Sequence, residues 1–239
     1  MLDPLFLEGE TWGFGGQPVE HIETHAAHVF LVGDRAFKMK KAVKLPYLDF
    51  STLDKRKAVL DHELAVNRGF TPSLYIGVME VLGEPVLAMN RFPSQALLSL
   101  HSGGITDATA RELARMAVDA HVIAPRRETP GSEIMAGLGA QLTKAFADSP
   151  DIFPAGEARE FHTLHEGHLT RLSPLLDQRG THGLVRRCHG DMHCGNIFLL
   201  EGKPALFDAI EFSEKIATID VLYDLAFLLM DLGRRGEKR

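Results

Sequence analysis

The sequence predicts an α+β fold made of two lobes, of which the first is rich in strands and the second is mainly helical. Short segments with alternating side chains and turn residues before residue 50 predict antiparallel strands. Apolar residues recur at helical spacing in long stretches after residue 106. The 239 residues, 45% of them hydrophobic, suffice for a core in each lobe. We expect the first lobe to span residues 1–92 and the second to span residues 93–239.

The sheet of the first lobe is predicted to begin with strands at residues 18–25, 28–32 and 35–40. Gly33-Asp34 is typical of a tight turn between the second and third strands, so the strands should be antiparallel neighbours. Because side chains alternate along a strand, Lys38 and Lys40 should lie on one face of the third strand and Phe37 on the other.

One helix is predicted in the first lobe. The segment from Ser51 to Asp54 has the Ser-x-x-acid form of a capping box, which predicts a helix that continues to about Arg68. Glu63 lies between Leu60 and Leu64, on or beside the face directed at the core. A buried charge without a partner is costly, so we expect a cationic partner for Glu63. A carboxylate that reaches water from the helix edge is the alternative.

A link between the lobes is predicted after the apolar strand at residues 86–89. Asn90-Arg91-Phe92-Pro93 interrupts the apolar pattern, and we interpret residues 90–94 as the hinge. Beyond the hinge, helices are predicted over about 107–122, about 156–176 and 218–232.

The main functional motif lies between residues 189 and 208. Residues 189–196 are His-Gly-Asp-Met-His-Cys-Gly-Asn, and an apolar hairpin then ends at Asp208. An amide oxygen and a carboxylate are ligands that suit Mg²⁺, which assigns Asn196 and Asp208 to a metal. Asp191 can accept a hydrogen bond from an attacking hydroxyl and orient it toward a phosphate. The pattern indicates phosphoryl transfer at a magnesium–nucleotide site.

This motif resembles that of the aminoglycoside phosphotransferase branch of the protein-kinase-like fold. The segment from Val29 to Asp54 is also similar to a bacterial group of aminoglycoside phosphotransferase-like domains that are often fused to a P-loop ATP-binding domain. The resemblance implies a protein-kinase-like two-lobe fold and an enzyme that uses ATP and Mg²⁺ to phosphorylate a hydroxyl of a small molecule. A P-loop ATP-binding domain, fused or separate, would be a partner of such a chain.

The resemblance also implies roles for residues of the first lobe. Lys38, two places after a small alanine, matches the kinase-family lysine that holds the α- and β-phosphates, and Lys40 is the alternative. Glu63 would form the ion pair with that lysine. Met89 and Asn90 would lie near the adenine base at the hinge.

Further roles are implied in the second lobe. Asp224 resembles the family position whose carboxylate braces the catalytic loop, and an ordinary acid near a helix N-terminus is the alternative. His189 is expected to pack and form hydrogen bonds within the loop, and His193 receives no role.

The sequence departs from the family pattern at two places. The segment from Thr24 to His28 lacks the glycines that close over phosphates in protein kinases, so phosphate cover should depend less on glycine. Family members continue with helices that shape the acceptor pocket, whereas this sequence ends at Arg239. We therefore expect a second lobe without its last helices, with acceptor recognition absent or built by another chain or domain.

Other functions stay open at this stage. A catalytically silent nucleotide-binding or regulatory module is one alternative, acting with a fused or separate ATP-binding partner. A zinc site is another, because zinc favours cysteine and histidine ligands such as Cys188, His189, Asp191, His193 and Cys194. It would leave Asn196 and Asp208 unexplained. The histidines at residues 162, 165 and 168 recur every third residue, and we expect them to be solvated or partly buried.

Composition excludes some partners. The net charge of −6 and the pI near 6.0 argue against nucleic acid as the main partner. No stretch approaches eighteen apolar residues, and the first residues lack the pattern of a signal peptide, so we expect a cytoplasmic protein without a membrane partner. Two cysteines do not form a disulfide framework.

Overall fold

The computed structural model describes residues 2–45, 48–100 and 104–237. Within these ranges the first lobe has a five-stranded antiparallel sheet of order β1-β2-β3-β7-β6, against which one long helix packs. The elements of the lobe are β1 (Glu20–Glu23), β2 (Ala27–Val32), β3 (Arg35–Lys40), the short pair β4 (Lys44–Leu45) and β5 (Leu48–Asp49), α1 (Leu53–Phe70), β6 (Tyr75–Val81) and β7 (Glu84–Asn90).

An aromatic core covers one face of this sheet. Phe6 and Trp12, from the segment before β1, pack on Phe30 and Phe37, and the rings of Trp12 and Phe37 lie 4.5 Å apart. Phe37 points into this core while Lys38 and Lys40 point to the opposite face, as the alternation along β3 predicts. Because Phe37 packs in this core, both lysines of β3 point into the space between the lobes.

The second lobe is mainly helical. Its elements are α2 (Asp107–Ile123), α3 (Gly131–Ala147), α4 (Ala155–Thr181), β8 (Val185–Arg187), β9 (Ile197–Leu200), β10 (Lys203–Leu206), α5 (Glu214–Ala217), β11 (Thr218–Asp220) and α6 (Val221–Arg234). The pairs β9–β10 and β8–β11 are antiparallel. No helix in the described ranges is long and apolar enough to cross a membrane. The boundary between the lobes at residue 92 stays a prediction.

Several predicted boundaries were wrong. The first predicted strand, 18–25, is reduced to β1. Helix α1 is capped by Thr52, whose hydroxyl accepts from the Lys55 amide at 3.3 Å. Ser51, the predicted cap, instead donates its hydroxyl to Asp49 at 2.6 Å. Two adjacent residues can each cap a helix, and the local hydrogen bond of Ser51 decides between them.

The last predicted helix also begins later than expected. Residues 218–220 pair with β8 as β11, and Asp220 then caps α6 by accepting from the Leu222 amide at 2.8 Å. Helix α3 was not predicted from the sequence. Its segment contains Gly137 and Gly139 and therefore has a weak helix propensity. A Cβ on Gly139 would lie 2.1 Å from the ring of His165 on α4. The glycine is needed for the close approach of α3 and α4.

Candidate active site in the interlobe cleft

A cleft of about 510 Å³ opens between the lobes. A cavity of this size suits a nucleotide-sized ligand. Its walls bring together residues that are far apart in the sequence, namely Lys38, Lys40, Glu63, Met89, Asn90, Asp191, Asp208 and Glu211. Asn196 lies just behind the wall and contacts Asp191. The predicted site residues therefore converge on one cleft.

Ion pairs link the two lobes in this cleft. Lys38 Nζ lies 2.7 Å from Glu63 Oε1 and 2.5 Å from Asp208 Oδ1. Lys40 Nζ lies 2.7 Å from Glu63 Oε2 and 2.6 Å from Glu211 Oε1. The contact of Lys40 with Glu63 is an ion pair by distance, although its angles are not those of a hydrogen bond. We call these alternating charges, from Asp208 to Glu211, the charge cluster.

Mutual attraction in the charge cluster sets the protonation of its members. Burial alone would lower the pKa of Lys38, but Asp208 and Glu63 outweigh burial and hold that pKa well above its usual value. Burial likewise opposes the ionisation of Asp208, and Lys38 outweighs it and lowers the pKa of the carboxyl group. Burial and the charge of Glu63 raise the pKa of Glu211. Lys38 and Asp208 are therefore both charged at neutral pH.

The two lysines of β3 are not equivalent. Lys40 is 4% exposed and lies between the carboxylates of Glu63 and Glu211. Lys38 faces Asp208, whose side chain retains 43% of its surface toward the cleft. The ion pair expected between Lys38 and Glu63 is present, and Lys40 forms a second one with the same carboxylate. Glu211 was not predicted as a site residue. It lies three residues after Asp208 and belongs to no motif recognised in the sequence.

The catalytic loop, residues 189–196, presents Asp191 to the cleft. Asn196 Nδ2 donates to the carbonyl oxygen of Asp191 at 3.0 Å and to its Oδ2 at 3.2 Å. His193 Nε2 lies 3.4 Å from the same Oδ2, and its Nδ1 accepts from the Gly195 amide at 2.9 Å. The hydrogen bond with Asp191 raises the pKa of His193. His193, which received no role from the sequence, therefore helps to orient the Asp191 carboxylate.

Buried side chains of the second lobe brace this loop. Gly190 has φ of 87°, and a Cβ there would lie 3.1 Å from Ile210 Cδ1, which explains a glycine at this position. Asp224 Oδ1 accepts from the Gly190 amide at 2.8 Å, so the contact expected of Asp224 is present. His121 Nε2 lies 3.0 Å from Asp224 Oδ2 and was missed from the sequence, because α2 is about 100 residues away.

His189 has a structural position in the loop. Its Nε2 donates to the Phe207 carbonyl oxygen at 2.9 Å, which leaves Nδ1 to accept from the Asp191 amide at 3.3 Å. Burial lowers the pKa of His189, so the ring is neutral. Both nitrogens are engaged by main-chain groups, as expected of a packing residue.

The loop does not gather the ligand set of the zinc alternative. Across residues 2–45, 48–100 and 104–237, the group of His, Cys, Asp or Glu side chains close enough to hold a metal is His121, Cys188 and Asp224. Burial raises the pKa of Cys188 and of Cys194, so the thiolates that zinc requires are disfavoured. The Asp224 carboxylate in this group is already occupied by the Gly190 amide and His121.

The turn between β1 and β2 covers one end of the cleft without glycine. Thr24 Oγ1 accepts from the Ala27 amide at 3.0 Å, and Lys41 Nζ donates to the Thr24 carbonyl oxygen at 2.5 Å. Lys41 Nζ also lies 2.5 Å from Glu23 Oε1. These contacts hold the turn in one conformation. The turn therefore lacks the flexibility that glycines would provide.

At the hinge, Met89 and Asn90 lie in the cleft wall. The Asn90 amide N–H donates to the Leu74 carbonyl oxygen at 2.8 Å, and the Arg91 amide N–H to the Asp34 carbonyl oxygen at 2.9 Å. These amide groups are therefore already engaged within the protein.

A family model for the phosphotransferase enzyme family matches residues 53–239. The chain belongs to this family. The matched range includes α1, the hinge and the catalytic loop. The chain is also 30% identical, over 233 aligned residues, to uncharacterized proteins of Mycobacterium tuberculosis and Mycobacterium bovis. The alignment covers 90% of the chain and 46% of each relative, so the chain spans about half the length of these proteins.

Solved structures confirm the protein-kinase-like fold of the chain. The GDP and kanamycin complex of APH(2″)-IIia superposes with a TM-score of 0.56 at 15% identity, covering 95% of this chain and 77% of that one. The aminoglycoside phosphotransferase APH(3″)-Id from Streptomyces rimosus, with ADP and streptomycin, gives 0.56 at 19% identity, covering 98% and 85%. A choline/ethanolamine kinase family protein from Mesorhizobium loti gives 0.51 at 18% identity, covering 90% and 64%.

Proposed function

We propose that this protein is a phosphotransferase that uses ATP and Mg²⁺ to transfer the γ-phosphoryl group to a hydroxyl of a small molecule. The observation that supports the proposal most directly is the charge arrangement of the cleft. Lys38, anchored by Glu63, faces Asp208 at 2.5 Å, and Asp191 opens into the same space. A phosphoryl-transfer site needs a cation for the phosphates, oxygen ligands for a metal and a carboxylate for the attacking hydroxyl.

The similar structures support the choice of substrates. One of them was solved with GDP and kanamycin, and another with ADP and streptomycin. A nucleotide in the cleft, next to a small molecule with a hydroxyl group, would be the corresponding arrangement here. A P-loop ATP-binding domain, fused or separate, is a further proposed partner, since the mycobacterial relatives are about twice as long as this chain.

The donor atoms of Asp208 and Asn196 suit Mg²⁺. The Asp208 carboxylate faces the cleft, and the Asn196 amide nitrogen is directed at Asp191, which leaves the amide oxygen as the atom for a cation. Both are hard oxygen ligands, which Mg²⁺ prefers. When bound, Mg²⁺ would neutralise the charge of the nucleotide phosphates. Lys38 would contribute a second positive charge to the α- and β-phosphates.

Asp191 would orient the acceptor hydroxyl and accept its proton. Its carboxylate is fixed by Asn196 and His193, so its direction is set before the substrate arrives. The turn at Thr24 would cover the phosphates, and Met89 and Asn90 would lie near the base. Because the amide N–H groups of Asn90 and Arg91 are engaged by the carbonyl oxygens of Leu74 and Asp34, other peptide groups of residues 90–92 would bind the base.

The melting temperature with ATP, measured with and without Mg²⁺, tests nucleotide binding. Ligand at about 100 times its Kd stabilises a protein by about 2.7 kcal/mol. For a chain of this size, that corresponds to a rise of about 5–10 °C. No rise at millimolar ATP would contradict the proposal.

A screen of hydroxyl compounds with radiolabelled ATP then tests transfer. The proposal expects a phosphorylated product with the unmodified protein and its loss in Asp191→Asn, while the thermal shift persists in both. ATP binding without product across a broad set of acceptors would favour the catalytically silent module.

A further inference from the structure

The segment of residues 206–210, which begins at the last residue of β10, holds Asp208 in an uncommon backbone conformation. Asp208 has φ of 58°, in the left-handed region that side chains other than glycine rarely adopt. Such a conformation persists where the surrounding structure fixes it. At the start of the segment, the Leu206 carbonyl oxygen accepts from Thr71 Oγ1 at 2.6 Å. The contacts of this segment therefore determine where the Asp208 carboxylate points.

Buried side chains of the first lobe bind the amides at and after this position. Tyr75 Oη accepts from the Asp208 amide at 3.0 Å, and Asn67 Oδ1 accepts from the Ala209 amide at 2.8 Å. Asn67 Nδ2 donates to the Glu63 carbonyl oxygen at 3.0 Å. Tyr75 and Asn67 are 3% and 0% exposed. Asn67 therefore connects the helix that presents Glu63 to the segment that presents Asp208.

The flanking amides are bound by the catalytic loop. The Phe207 amide donates to the Asn196 carbonyl oxygen at 3.1 Å, and the Ile210 amide to the His189 carbonyl oxygen at 3.0 Å. The outer amides, those of Phe207 and Ile210, thus attach the segment to the second lobe. The inner ones, next to the carboxylate, depend on side chains of the first lobe.

We propose that Tyr75 and Asn67 are positioning residues that direct the Asp208 carboxylate toward Lys38 and the metal position. The inference rests on the proposed function, because it treats Asp208 as a magnesium ligand. Tyr75 is suited to this task by its hydroxyl oxygen, since a buried amide N–H without an acceptor is strongly disfavoured.

The test is Tyr75→Phe, which removes the acceptor of the Asp208 amide and leaves the ring in place. Hydrogen–deuterium exchange of peptides that include residues 207–210, measured without nucleotide, should become faster. The Mg²⁺ concentration that gives half of the ATP-dependent thermal shift should rise about 10–100-fold, as when a partner that orients a metal ligand is lost. ATP binding without Mg²⁺ should not change.

Tyr223→Phe is the matched control, because it deletes the same hydroxyl from a ring on α6 that packs on Phe227 outside the cleft lining. It should leave both measurements unchanged. Asn67→Ala is the second variant, expected to quicken exchange at Ala209 and to raise the Mg²⁺ requirement in the same way.

The outcomes separate this inference from the proposed function. If the unmodified protein shows no Mg²⁺-dependent shift, the proposed function fails, and unchanged exchange in Tyr75→Phe would then also overturn the anchoring of the segment. If the unmodified protein does show the shift, an unchanged Mg²⁺ requirement in Tyr75→Phe overturns the positioning role alone, whatever the exchange rates.

Discussion

The charge cluster and the catalytic loop line the same cleft, yet different interactions hold them in place. The cluster depends on ion pairs centred on the buried Glu63, which contacts both Lys38 and Lys40. The loop depends on hydrogen bonds that main-chain amides donate to carboxylates, such as that of the Gly190 amide to Asp224. One region is therefore organised by charge balance and the other by the shape of the backbone.

This difference indicates what each region contributes. Removal of a buried member of the cluster, such as Glu63, leaves an unbalanced charge in the interior, which weakens folding and nucleotide binding together. Asp191 in the loop is 42% exposed and faces the cleft, so its removal should leave the fold intact and impair the chemistry. The predictions below challenge this division, from the largest expected effect to the smallest.

Asp191→Ala should lower turnover by about 10²–10⁴-fold, because the carboxylate that orients the hydroxyl is lost. The free energy of unfolding should change by less than about 0.5 kcal/mol, since the side chain is partly exposed. Steady-state kinetics and urea unfolding measure these quantities. Asp208→Ala is the contrasting variant and should weaken Mg²⁺-dependent nucleotide binding. Equal losses of binding in both variants would contradict the division of roles.

Glu63→Gln should lower the free energy of unfolding by about 3–5 kcal/mol, because Lys38 and the buried Lys40 lose their shared counter-charge. Urea unfolding is the measurement. Asp61→Asn on the same helix is the control: its ion pair with Lys57 is exposed, and its loss should cost at most about 0.5 kcal/mol. Similar values for the two variants would show that the charge cluster does not stabilise the fold.

Asp224→Asn should lower the free energy of unfolding by about 1–3 kcal/mol, because a buried charge-assisted contact with His121 is lost. The Gly190 amide can keep an acceptor. Turnover should fall more than nucleotide affinity. Asp231→Asn serves for comparison, since Asp231 Oδ2 accepts from the Cys194 amide at 3.0 Å and its side chain is 23% exposed. A larger loss of unfolding free energy in Asp231→Asn than in Asp224→Asn would show that Asp231 contributes more to the stability of the loop.

His193→Gln should remove a weak dependence of stability on pH. The folded pKa of His193 is raised above its usual 6.5, so its contribution is complete below that value and is lost as the pH rises through the folded pKa. The effect should be at most about 1 kcal/mol, because the pair with Asp191 is partly exposed. Melting temperatures from pH 6 to 9, compared between the variant and the unmodified protein, measure it.

Asp208 and Lys38 should not contribute to this pH dependence. The pKa of Asp208 is lowered, so its contribution is present above the usual 3.8 and is lost only as the pH falls through the lower folded value. The pKa of Lys38 is raised, so its contribution is complete below 10.5 and is lost as the pH rises through a higher value. A slope between pH 6 and 9 that survives in His193→Gln would point to another titrating group.

The parts of the molecule that were predicted depend on local patterns. Alternation along β3 placed Lys38 and Lys40 on one face, and helical spacing placed Glu63 at the core side of α1. The catalytic loop and its hairpin were visible because their residues lie within about twenty positions of one another. Short-range order of this kind is encoded where it occurs in the chain.

The parts that were missed depend on long-range contacts. Tyr75 and Asn67 bind amides 133 and 142 residues away, and His121 contacts Asp224 across 103 residues. Glu211 has no periodic pattern that marks it as the partner of Lys40. Tertiary packing creates these contacts, and no spacing in one sequence reports which distant residues meet. Helix α3 was missed because its glycines, which allow close packing, lower its helix propensity.

The buried cysteines beside the catalytic loop make it possible to observe the loop directly. Cys188 and Cys194 are 1% and 0% exposed, and burial, together with a hydrogen bond to Asp231, raises the pKa of Cys194 to about 12. Neither thiol should react with alkylating reagents while the loop is closed. The rate at which such a reagent modifies the native protein therefore measures how often the loop opens, so the chain contains its own probes of motion at the site.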